Sequence, residues 1–234
     1  MTDLEFISNT KKLIDDLKSV CANYGLGNDG NEFKIISQTF LYKYMNDKFS
    51  YEAKKINETL AEATDFQKAY EELSEEERKF LIARIGNKAP KLQPEHLISY
   101  LFNNSTKANF AETYFDGTLR NISLDNSNLY SIKTASGVKD KMFDDLSQFI
   151  TDSSQRDAFA RALVNKLVNF SFEKMFQEKY DFFATIFEYL IKDYNSDSGG
   201  KYAEYYTPHA VARIMAAILV KDAVTNVKVY DPSA

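Results

Sequence analysis

The sequence predicts a mainly α protein: a multi-helix N-terminal domain followed by the first helix and strand of an α/β domain. Three observations carry this. Apolar residues recur at helical steps in segment after segment up to Tyr194. Only 8 Gly and 4 Pro interrupt 234 residues, too few for a turn-rich β protein. After the polar stretch Asn195–Gly200 the pattern changes to a Thr-Pro helix start and a short β-branched run that breaks at Asp231-Pro232. That change sets the expected domains at 1–195 and 196–234.

The helices follow in order. Thr2 and Asp3 can cap a first helix carrying Leu4, Ile7, Leu13, Ile14, Leu17 and Val20, and the Gly25–Gly30 cluster ends it. From Asn31 to about Asn57, Phe33, Ile36, Phe40, Leu41, Tyr44, Met45 and Phe49 form one broad apolar face. Lys34, Lys43, Asp47 and Lys48 are expected off it, with a break near Ser50. Glu52–Lys79 holds nine acidic and five basic residues and reads as a solvated helical face. Within it, Ser74-x-x-Glu77 is a capping box opening a helix that stops near Gly86. A connector between Pro90 and Pro94 leads to a short helix, Glu95–Leu101, in which the lone His96 reads as a packed or surface residue.

Asn103–Asn109 reads as a turn, and Phe110–Asn126 as a helix weakened by Gly117. Asn126–Gly137 is loop-like. Helices are expected over Val138–Ile150, Ser154–Met175 and Tyr180–Tyr194. Beyond the glycine pair, Thr207 caps a helix and Pro208 fits its first turn, where a missing N–H costs nothing. Val211, Ile214, Met215, Ile218 and Leu219 are its expected buried face. Val227–Tyr230 is the strand.

Composition excludes several classes. A formal net charge of −5 and a pI near 5.2 do not announce a nucleic-acid binder, although a local basic face can sit on an acidic chain. One cysteine, Cys21, allows neither an internal disulfide nor a multi-cysteine zinc site, and two histidines add no metal-ligand spacing. No metal is expected. The N-terminus lacks signal-peptide character and no apolar run can span a bilayer, so a soluble cytoplasmic protein without membrane partners is expected. The 18 Phe and 15 Tyr suit a packed interior or stacking platforms equally.

The tail carries the most specific signal. Glu204-Tyr205-Tyr206-Thr207-Pro208 precedes an amphipathic helix, a strand and Tyr230-Asp231-Pro232-Ser233-Ala234. This combination resembles the M (modification) subunit of type I restriction–modification systems, which are N6-adenine DNA methyltransferases. Ala203 stands where the family has Gly, a small-for-small departure, and His209 where many relatives have Arg. The run Phe40–Phe49 resembles a helix of the family's helical N-terminal domain.

The resemblance implies a Rossmann-like α/β methyltransferase domain beginning at about residue 196. It implies S-adenosylmethionine as cofactor of the full-length protein, held by Glu204, Tyr205, Tyr206, Thr207, Pro208, His209, Asp231 and Pro232. It implies as partners DNA, a specificity subunit, a restriction subunit and a second copy of the M subunit. The family's glycines after Asp-Pro-x-Ala and its catalytic Asn-Pro-Pro-Tyr/Phe motif do not occur in this sequence, so no catalytic residue is assigned and the chain alone is expected to be inactive. The alternatives are a stand-alone helical interaction module and a related type II methyltransferase.

Overall fold

The computed structural model describes residues 3–27, 30–130, 141–177, 189, 207 and 209–220. Most of the chain is helical, and no strand occurs among the described residues. The chain divides into two compact units, Met1–Leu190 and Ile191–Ala234. The expected boundary at 195/196, the glycine pair and the strand Val227–Tyr230 lie outside the described residues. So does the helix expected over Tyr180–Tyr194, save Tyr189, which is helical.

The first unit opens with α1 (Asp3–Asn23) and α2 (Gly30–Lys54). Phe6, Leu13, Ile14, Leu17, Val20 and Cys21 bury one side of α1. Gly25 ends it at φ +81°, a conformation glycine adopts without steric cost, and Leu26 N–H closes back on the Cys21 carbonyl at 3.0 Å.

Helix α2 is the spine of the unit. Ile35, Ile36, Phe40, Tyr42, Met45, Phe49 and Ala53 are all at most 2% exposed, so it is covered on several sides rather than on one face. The expected break at Ser50 does not occur. Its hydroxyl donates to the Asn46 carbonyl at 3.1 Å, a local bond that lets a serine sit within a helix.

Two charges expected mostly off the apolar face are buried all the same. Lys43 and Asp47 are each 4% exposed and pair at 2.8 Å, one helical turn apart. Asp47 also accepts from Asn46 Nδ2 at 2.8 Å and from the backbone N–H of Phe172 at 2.7 Å. The reason is coverage. The periodic pattern marks the most apolar side, but a central helix has no solvent side, so its charges must be neutralised where they lie.

The acidic stretch forms three short helices: α3 (Glu58–Glu62), α4 (Phe66–Glu72) and α5 (Glu75–Ile85). Each is capped. Asn57 accepts from Leu60 N, Asp65 from Lys68 N, and the Ser74–Glu77 box is formed in both directions. Glu52 is the exception to the solvated face: it is buried between Lys48 and Lys55.

Instead of a helix over Glu95–Leu101, a 3₁₀ turn, Pro94–His96, precedes α6 (Ile98–Asn103). The Asn46 side chain accepts from Ile98 N at 2.9 Å, which fixes where α6 starts.

Phe110–Asp116 is a π-helix, and Gly117 begins α7 (Gly117–Asp125). A short α8, Ser127–Tyr130, replaces the start of the expected loop. The described part of the helix expected over Val138–Ile150 holds only a 3₁₀ turn, Leu146–Phe149. Long-range bonds pull this segment out of the α conformation. Phe143 N donates to Ser123 Oγ, Asp144 N to Gln38 Oε1 at 2.7 Å, and Ser147 N to Asp116.

The helix expected to reach Met175 stops at Val168. It is α9 (Arg156–Val168), packed on α1, on α6 and on the π-helix. Beyond it, Phe172 turns inward, with ring centroids 4.8 Å from Phe170, 6.1 Å from Phe40 and 6.2 Å from Phe6. Burying that ring and bonding its amide to Asp47 outweigh another helical turn.

The second unit is described at Thr207, in α10 (His209–Leu219) and at Val220.

Removing Asp47 leaves a buried ammonium unpaired, a loss of about 3–5 kcal/mol. Urea unfolding of Asp47→Ala is expected to show a loss of that order. Lys43→Met is expected to lose less, because Asp47 keeps the Phe172 and Asn46 donors.

Candidate functional site

The sequence places its chemistry in the tail. Of the expected cofactor-binding residues, Glu204, Tyr205, Tyr206, Pro208, Asp231 and Pro232 lie outside the described residues. Thr207 is exposed and non-helical, and His209 is the first residue of α10. A helix is thus described from His209, close behind Thr207, where the Thr-Pro signal places one. A helix start leaves its first backbone N–H groups without intrahelical partners, beside a partial positive charge. Such an opening can receive a carboxylate.

The face of α10 expected to be buried is open. Val211, Ile214, Met215, Ile218 and Leu219 are 46%, 61%, 53%, 66% and 78% exposed. Their spacing marks which side of the helix is apolar. Burial also needs a surface laid against that side, which periodicity alone does not supply.

The helical unit holds perturbed groups, and each has a structural explanation. Burial pushes the Cys21 thiol up to about 12, with Glu32 adding to the effect, so the thiol carries no thiolate near neutrality. His96 is 3% exposed, and burial lowers its pKa. Its Nδ1 accepts from Gln93 N at 3.2 Å, and its carbonyl accepts the Tyr42 hydroxyl at 2.7 Å. It is a packed residue. Among the described residues no group of three or more His, Cys, Asp or Glu could hold a metal ion. Within the same residues no helix is long and apolar enough to cross a membrane.

Asp116 was not singled out by the sequence. It closes the π-helix, is fully buried, and accepts from Ser147 Oγ at 2.5 Å and Ser147 N at 3.2 Å. Burial raises its carboxyl to about 6 despite those two bonds, and the neighbouring Asp145 adds to the rise. The sequence offers no signal for this, because the groups that bury it lie on other elements.

The model of the N-6 DNA methylase family matches residues 178–234. The matched stretch is about a quarter of the chain and contains every residue assigned above to the cofactor. No curated protein and no solved structure matches the chain. The match supports an adenine DNA methylase relationship for the C-terminal stretch.

The raised carboxyl of Asp116 sets a pH dependence of stability. The folded chain holds that proton more tightly than the unfolded chain, whose carboxyl stays near 3.8. This group therefore stabilises the fold as pH falls from about 6 towards 4, and its charge weakens the fold above that window. Thermal melts of wild type and Asp116→Asn at several pH values are expected to diverge there, with the variant losing the acid-side gain. Parallel curves would contradict the assignment.

Proposed function

We propose that this chain is the N-terminal portion of the modification subunit of a type I restriction–modification system, a site-specific DNA N6-adenine methyltransferase using S-adenosylmethionine. The observation that carries the reading is that the family match and the motifs fall on the same stretch. The family match at 178–234 encloses both the Glu204–His209 motif and the Asp231-Pro232-Ser233-Ala234 turn. The long helical unit before that stretch favours type I over a self-sufficient type II enzyme.

In this reading the chain's own residues form part of the cofactor pocket. Tyr205 and Tyr206 offer aromatic surface to the sulfonium and the adenine, worth roughly 0.5–2 kcal/mol for a cation–π contact. The Thr207 hydroxyl and the opening amides of α10 meet the carboxylate, and Asp231 accepts from the ammonium. The cofactor supplies the methyl group. The target adenine leaves the base stack to receive it. The helical unit contacts DNA, the specificity and restriction subunits and a second M subunit. Sequence recognition then lies with the specificity subunit.

Calorimetric titration of S-adenosylmethionine into the protein expressed with its full reading frame tests this. Saturable binding is expected in wild type, weakened about tenfold or more by Tyr206→Ala or Asp231→Ala. A well-folded wild type that takes up no S-adenosylmethionine would overturn the assignment.

A further inference from the structure

The segment that follows α9 is held unlike the rest of the helical unit. Asn169 and Ser171 are exposed, Phe170 and Glu173 are half-buried, and Phe172 alone is fully buried. Cavities lie on both of its flanks. One, of about 520 Å³, runs along α1 between Asn9, Lys12 and Lys166. The other, of about 220 Å³, opens beside Lys43, Asn46 and Ser99. Phe170, Ser171 and Glu173 line both cavities.

The segment is fastened at named points. Phe172 N donates to Asp47, and Glu173 takes Lys54 Nζ on both carboxylate oxygens at 2.8 and 3.0 Å. Lys48 Nζ lies 4.9 Å from the centroid of Phe176. These fastenings lead back to α2, while the rings of Phe170 and Phe172 also pack on Phe6 of α1, at 5.8 and 6.2 Å. Both are clefts open to solvent, so the fold covers the segment on only part of its surface. Regions with few buried contacts open at lower free energy than the core.

We propose that residues 169–177 form a strap that releases as a unit while the helices beneath it stay folded, with Asp47 and the Lys54–Glu173 pair as its catch. Phe172 is the part that must leave the core, and the cavities give the strap room to move without displacing a helix. Release frees the chain just before residue 178, where the methylase family match begins. The proposal stands on the geometry of the helical unit and does not depend on the enzymatic reading.

Native-state hydrogen exchange on the full chain, followed across low urea concentrations, tests it. The Phe172 amide is expected to exchange through an opening with a small urea dependence, set by the surface the strap exposes, while amides of α2 from Phe40 to Phe49 exchange only through a strongly urea-dependent unfolding. Glu173→Gln is expected to speed Phe172 exchange by about fivefold, the size of one partly exposed ion pair, and to leave the α2 amides unchanged. Asp47→Asn is expected to speed it further. The proposal is overturned if the Phe172 and α2 amides share one urea dependence, or if Glu173→Gln speeds both equally or neither.

Discussion

The buried pair of Lys43 and Asp47 is the constraint the helical unit is built around. A lone charge in a packed interior costs several kcal/mol, and a pair is tolerable only when its remaining bonding capacity is met. Here the carboxylate receives an ammonium, a side-chain amide and a backbone N–H. The backbone N–H comes from Phe172, far along the chain, so satisfying one helix fixes the path of another segment. The same logic repeats along α2. The Gln38 side-chain amide donates to the Asp144 carboxylate and accepts from the Asp144 N–H, Tyr42 donates to the His96 carbonyl, Asn46 accepts from Ile98 N, and Lys54 holds Glu173. The polar side chains of a central helix thus serve as attachment points for the irregular segments around it. That arrangement holds short helical turns and loops in place that local sequence alone would not fix.

Much of the helical unit is legible in the sequence wherever the signal is local. The first helix is bounded by its glycine turn, and the Ser74 capping box opens α5 where the spacing places it. The readings that miss are those decided by distant partners. Nothing near Phe143 or Asp144 announces that Ser123 and Gln38 will take their backbone groups. Nothing near Phe170 announces that α9 ends so that Phe172 can reach Asp47. The burial of Lys43 and Asp47 escapes the sequence for a related reason. Periodicity ranks the sides of a helix by polarity, but it cannot tell that the least apolar side is also covered. The candidate site rests on the sequence alone, since six of its eight residues lie outside the described ones. Its residues sit close together in sequence, so spacing and residue type carry the resemblance before any contact is known. Geometry adds the position of the α10 start and the exposure of its apolar side.

The two units carry different kinds of information about function. The helical unit is acidic along α3–α5, and its perturbed groups Cys21, His96 and Asp116 are all buried. The C-terminal stretch holds the motifs and the family match. With a net charge of −5, affinity for a phosphate backbone has to come from local basic surface or from partner subunits rather than from the chain's overall field.

The most direct measurement is mass spectrometry of nucleosides from DNA of cells that express the full reading frame together with its companion subunits. The account predicts N6-methyladenine, absent when the frame is deleted. Methylation confined to cytosine, or no new methylated base with all the subunits present, would contradict it.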